Sequence, residues 1–90
     1  MGYGLVSVST AAVATILTAN TSRLGLIICN IGSHSAYIAS DASVTSANGI
    51  KLLPNGTFTE DSGGQRVYLG AYYAIAGSAG TQLTYWERSV

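Results

Sequence analysis

Charged residues are scarce in this chain: four Lys and Arg and four Asp and Glu leave a net charge of zero and a charged fraction of 9%. A soluble domain of ordinary composition carries about a quarter of its residues as charges, which keep its copies hydrated and apart. Arg23, Lys51, Arg66 and Arg88 are scattered along the sequence. Without clustered cations to neutralise phosphates, neither nucleic acid nor an anionic membrane surface is an expected partner.

Histidine and cysteine each occur once, as His34 and Cys29. A lone cysteine excludes an intrachain disulfide, and one Cys with one His cannot complete a zinc site within a single chain. Cys29 lies in the apolar run Leu26-Ile27-Ile28-Cys29-Asn30-Ile31 and is expected as a buried small hydrophobe rather than a reactive thiolate. His34, in the turn Gly32-Ser33-His34-Ser35, is the one imidazole available as a base. A triad would need Asp41 or another acid to orient it and a distant serine aligned with it. Glu60-Asp61 is the one acidic pair, and adjacent strand residues point to opposite faces, so the two carboxylates would not meet. Gly77-Ser78-Ala79-Gly80 lacks the lysine and the helix that phosphate cradling requires. The expectation is a non-enzymatic protein with no catalytic residue, metal or cofactor. Long apolar runs are missing too: none nears the roughly 20 residues of a membrane span. Ser7, Ser9, Thr10, Thr15 and Thr18 interrupt every candidate secretory signal.

What remains is Ser, Thr, Ala and Gly with 48% hydrophobic residues in short runs. Ninety residues make one domain, 1–90, which buries about 60 to 65% of the surface its unfolded form exposes, so burial against a partner would add needed stability. Strand candidates recur at intervals of about 8 to 12 residues between turn formers, the pattern of an all-β sandwich or barrel. They are Leu5–Ser9, Val13–Thr18, Leu24–Ile31, Ala36–Ala39, Ile50–Leu53, Thr57–Thr59, Arg66–Leu69, Tyr72–Ala76 and Gln82–Trp86. The alanines of 11–17 suit a helix by propensity, but Thr10, Val13, Thr15, Ile16 and Thr18 are β-branched and fit a pleated surface better. Leu24–Ile31 is apolar on both alternating faces, which predicts a central strand covered on both sides. Gly32–Ser35 and Gly77–Gly80 are expected to close hairpins, and Asn48-Gly49, Pro54-Asn55-Gly56 and Ser62-Gly63-Gly64 to make turns. The expected architecture is a small single-domain β-sandwich of about eight short strands. A jelly roll and a sandwich with an open edge both satisfy the pattern.

Aromatic side chains are the remaining chemistry. Tyr and Trp can fill a core, anchor a protein interface, or stack a sugar or a base. Tyr3, Leu5, Tyr72, Tyr85 and Trp86 are the candidate interface residues, and the ends 1–6 and 86–90 are expected to dock on neighbouring subunits.

The segment Arg23-Leu24-Gly25-Leu26-Ile27-Ile28-Cys29-Asn30-Ile31-Gly32 resembles the small β-sandwich virion proteins of tailed bacteriophages, in which an Arg-led apolar strand ends in Asn-x-Gly. The likeness continues through Tyr37-Ile38, Val44 to Leu52 with its Asn48-Gly49 turn, Pro54-Asn55-Gly56-Thr57-Phe58 and Tyr73-Ala74-Ile75-Ala76-Gly77. The resemblance implies a structural role in the virion: a head decoration or cement protein binding the capsid lattice as a homo-oligomer, with a trimer as one arrangement. It carries over no individual functional residue. A poorly charged all-β domain also gains most from burying surface between copies or against another virion protein. The alternative is a tail- or fibre-associated carbohydrate-binding module that uses a tyrosine patch for host attachment.

Overall fold

Period-two alternation of apolar with small polar residues dictates strands with one buried face, and the described residues form eight of them. They are β1 (Gly2–Val8), β2 (Ala14–Leu17), β3 (Arg23–Asn30), β4 (Ala36–Ala39), β5 (Ile50–Leu52), β6 (Thr57–Asp61), β7 (Tyr72–Ala76) and β8 (Thr81–Ser89). The structure, a computed structural model, describes residues 2–61 and 68–89. Two four-stranded antiparallel sheets result, ordered β1-β8-β3-β6 and β2-β7-β4-β5. Every connection crosses between the sheets except that from β4 to β5, so the sandwich is a jelly roll.

The core lies between the sheets. Leu26 and Ile28 of β3, Leu83 of β8 and Val8 of β1 face Ile38 of β4, Ile16 and Leu17 of β2 and the alanines Ala36, Ala74 and Ala76. With alanine at three of these positions, the side chains of β4 and β7 bring little volume to the core.

Two buried polar side chains, one at each end of β3, hold the loops that cap the sandwich. The Arg23 side chain is fully buried. Its Nε donates to Glu87 Oε2 at 2.7 Å, one terminal nitrogen donates to the carbonyls of Tyr68 and Gly70 at 2.7 and 2.8 Å, and the other donates to Thr18 O at 2.9 Å. Its guanidinium also lies 5.6 Å from the centre of the Tyr72 ring, a cation–π distance. At the far end, Asn30 Nδ2 donates to the carbonyls of His34 and Leu52 at 2.7 and 2.9 Å, while Oδ1 accepts from Gly32 N–H at 3.0 Å and the Thr81 hydroxyl at 2.8 Å. Every polar atom of both side chains thus has a partner, the condition on which a buried polar group is tolerated. A Cβ at residue 32 would fall on the Thr81 side chain, so glycine is the residue that lets this loop close. Leu53–Gly56 is a turn closed by Gly56 N–H to Leu53 O at 2.7 Å, with Asn55 at φ 65°. Proline at its second position and asparagine at its third are what a type II turn asks for.

Several expectations are corrected. Residues 31–35 and 77–80 do not close hairpins: β3 and β8 belong to one sheet, and β4 and β7 to the other. The inward apolar residues of each pair serve opposite walls of one core, which a local reading of turn residues does not distinguish. The strand expected over Arg66–Leu69 and the turn Ser62-Gly63-Gly64 fall largely outside the described residues, and Tyr68 and Leu69 are not in a strand. The largest correction concerns β3, which is covered on one face only: Leu26 and Ile28 are buried, but Ile27 and Ile31 are exposed. Cys29 is accordingly half-buried on the outer face rather than in the core.

Candidate docking face

The strand registers align the outward residues of the β1-β8-β3-β6 sheet in rows. Tyr3 pairs with Trp86, Trp86 with Ile27, and Ile27 with Thr59. One row along, Leu5 pairs with Thr84, Thr84 with Cys29, and Cys29 with Thr57. Neighbouring Cβ atoms in such rows lie about 5 Å apart, so the side chains form one continuous surface. Tyr3 is 82% exposed, Leu5 55%, Trp86 48% and Ile27 38%. Single exposed apolar residues are ordinary, but a row of them on one sheet face is not. Among the described outward side chains of this sheet, Arg88 at one end is the only charge.

The same face carries a shallow depression. Gly25 pairs with Arg88 on one side and Asp61 on the other. With no side chain at that position, Ile27, Thr59, Trp86 and Arg88 frame a concavity of about 220 Å³. The indole is therefore flanked by a hollow as well as by apolar neighbours, the setting in which an aromatic anchor engages a partner.

Of the five candidate interface residues, the structure brings three together: Tyr3, Leu5 and Trp86 share this face. Tyr85 points inward across Gly4, where a Cβ would meet its hydroxyl at 2.8 Å, and packs on the core. Tyr72 is only 5% exposed and is part of the interior, between Phe58 at a ring separation of 5.9 Å and Tyr68 at 5.4 Å. Burial, together with a hydrogen bond to Glu60 and the charge of that carboxylate, pushes the Tyr72 hydroxyl above its ordinary range. Ile27, which is not among the five, lies in the same exposed row beside Trp86. Its signal was in plain view, since a strand apolar on both faces in a single sandwich can hide only one of them.

Other concavities and clusters carry less. A second cleft, of about 280 Å³, opens between the edges of β5 and β6 beside Phe58, Tyr68 and Tyr72. Its polar groups have internal partners, with Glu60 accepting from the Tyr68 N–H at 2.9 Å. Among the described residues no three His, Cys, Asp or Glu side chains converge as a metal site. His34 is exposed, with Nδ1 3.2 Å from the Ser33 hydroxyl. Compared with family models, curated proteins and solved structures, the chain matches none of them.

Proposed function

We propose that this chain is a non-enzymatic structural protein of a virion, a head decoration or cement protein, and that the outer face of the β1-β8-β3-β6 sheet is the surface that docks on the major capsid protein or another virion protein. The observation that carries this reading is the row Tyr3, Trp86 and Ile27, apolar, exposed and bordered by threonines. Burying a large apolar side chain that water now covers stabilises a complex by about 1.5 to 3 kcal/mol, and an aromatic anchor beside a hollow concentrates that gain. The scarcity of charge among the described outward side chains lowers the desolvation cost that Lys or Glu would impose there. The poverty in titratable groups that leaves the chain short of acid and base chemistry suits the same face for dry contact.

Heads assembled with and without the chain supply the test. The reading expects the chain in the mass of the purified heads and earlier DNA release on heating when it is omitted. It fails if heads exclude the chain, or if its omission leaves the release temperature unchanged.

A second reading, a saccharide-binding module for host attachment, takes its support from the hollow beside Trp86, where an indole face and the Arg88 and Thr59 side chains adjoin. Stacking of a pyranose on the ring would change Trp86 fluorescence. A glycan array that yields a saccharide ligand whose binding is abolished by Trp86→Ala would favour this reading over the first.

A further inference from the structure

A β-sandwich of two open sheets has four edge strands, and unpaired edges recruit other chains unless something blocks them. In this molecule three edges are guarded. β5 is only three residues long and carries Lys51. β2 has four residues, with an irregularity in its pairing between Thr15 and Leu17. β6 carries a charge on its inward side, Glu60, which accepts from the Tyr68 N–H. The fourth edge, β1, has seven residues, no charge, no proline and an unbroken register against β8.

The hydrogen-bonding phase of β1 follows from its neighbours. Ile31 N–H donates to Gln82 O, which fixes the residues of β8 that bond toward β3 as 82, 84 and 86. In an antiparallel ladder the alternate residues of β8 then bond toward β1, where the register sets Leu83 opposite Val6 and Tyr85 opposite Gly4. Gly4 and Val6 therefore spend their backbone groups on β8, and Tyr3, Leu5 and Ser7 aim theirs at the open edge. The bond from Ala76 N–H to Ser9 O, away from β8, continues the same alternation. Among the described residues no other backbone group meets Tyr3, Leu5 or Ser7 on that side.

We propose that this edge pairs with the β1 edge of a second copy of the chain, antiparallel, about a two-fold axis at Leu5. That centre matches Tyr3 with Ser7, Leu5 with Leu5 and Ser7 with Tyr3, each pair exchanging both N–H to O=C bonds. It also fuses the two β1-β8-β3-β6 sheets into one and sets the exposed Leu5 side chains against each other. A second copy is the occupant because the edge is self-complementary under a two-fold, carries no charge to repel its twin, and sets the Leu5-Thr84-Cys29 row of one copy in line with that of the other. The pairing closes with two copies rather than three, and it is independent of what the outer face docks on.

The test is sedimentation velocity of the full chain from micromolar to sub-millimolar concentration, with residue-resolved amide exchange. Wild type is expected as a dimer whose Tyr3, Leu5 and Ser7 amides become protected as concentration rises, while those of Gly4 and Val6 are protected throughout. Ser7→Pro removes a donor that points at the open edge and spares the bonds to β8. It should weaken the dimer at least about tenfold, while Ser7→Ala and Trp86→Ala leave it in place. A chain that stays monomeric over the whole range, a folded Ser7→Pro variant that dimerises as wild type, or a dimer whose Leu5 and Ser7 amides exchange freely would each overturn the proposal. Should Ser7→Pro fail to fold, the wild-type exchange pattern decides.

Discussion

Asn30→Asp changes the shape of one side chain hardly at all and reverses the sense of half its hydrogen bonds. Asn30 is wholly buried, and its Nδ2 supplies donors to two carbonyls, His34 O at 2.7 Å and Leu52 O at 2.9 Å. Aspartate would set an oxygen against both. Two net hydrogen bonds of about 1 kcal/mol each are lost, and two orphaned buried carbonyls cost about 1 to 3 kcal/mol each, partly relieved by loop movement. The expected destabilisation at neutral pH is about 3 to 6 kcal/mol, a large share of a small domain's total. Its pH dependence is the sharper signature. In the folded variant the new carboxyl is buried against carbonyl oxygens, so its pKa rises above the unfolded value of about 3.9. A protonated carboxyl can donate to one carbonyl, and the stability this form confers is fully present below the unfolded pKa and lost as pH rises toward the folded one. The gap between variant and wild type should therefore be smallest in acid and widen by about 1.4 kcal/mol per pH unit until the folded pKa is passed. Urea unfolding followed by far-UV circular dichroism, at one protein concentration and a series of pH values, measures the gap while the native carboxylates cancel. A difference below about 1 kcal/mol at neutral pH, or one that does not change with pH, would refute the role assigned to Asn30.

At the opposite end of β3, Arg23→Met strands the Glu87 carboxylate and the carbonyls of Thr18, Tyr68 and Gly70. Breaking a buried pair in this way costs about 3 to 5 kcal/mol, to be read as a lowered urea midpoint. Tyr72 has a hydroxyl pKa raised in the fold by burial and by Glu60. The stability that depends on the neutral phenol is present below the unfolded pKa of about 10 and lost as pH rises above it. Tyr72→Phe should accordingly flatten the alkaline fall in stability, measured by thermal unfolding across the alkaline range.

Much of the architecture was legible in the residues. Alternation marked the strands, and β-branched side chains kept 11–17 out of a helix. Pro54-Asn55-Gly56 specified a turn whose third position has the positive φ that asparagine tolerates. Strand pairing was not legible: Gly32–Ser35 and Gly77–Gly80 carry hairpin chemistry, yet each link passes from one sheet to the other, because the partner of a strand is set by the distant core it shares. The candidate interface residues divided for the same reason. Tyr72 and Trp86 are equally aromatic, and only the sandwich decides that one lies beneath Arg23 and the other faces out beside Ile27. The most informative misreading was that of β3, whose double apolar face implied cover on both sides. The single chain supplies one cover, and the bare side is where a partner is proposed.

Trp86 is the only tryptophan and sits in the middle of the exposed row, so its emission reports on that face alone. The chain labelled with 5-hydroxytryptophan, excited apart from the capsid's own tryptophans and added to heads that lack it, should show emission shifted to the blue and shielded from acrylamide once bound. Trp86→Ala should retain the fold and lose retention on heads by at least tenfold, about 1.4 kcal/mol or more. A chain that binds heads with its Trp86 emission and acrylamide quenching unchanged from the free protein would contradict the assignment of this face as the docking surface.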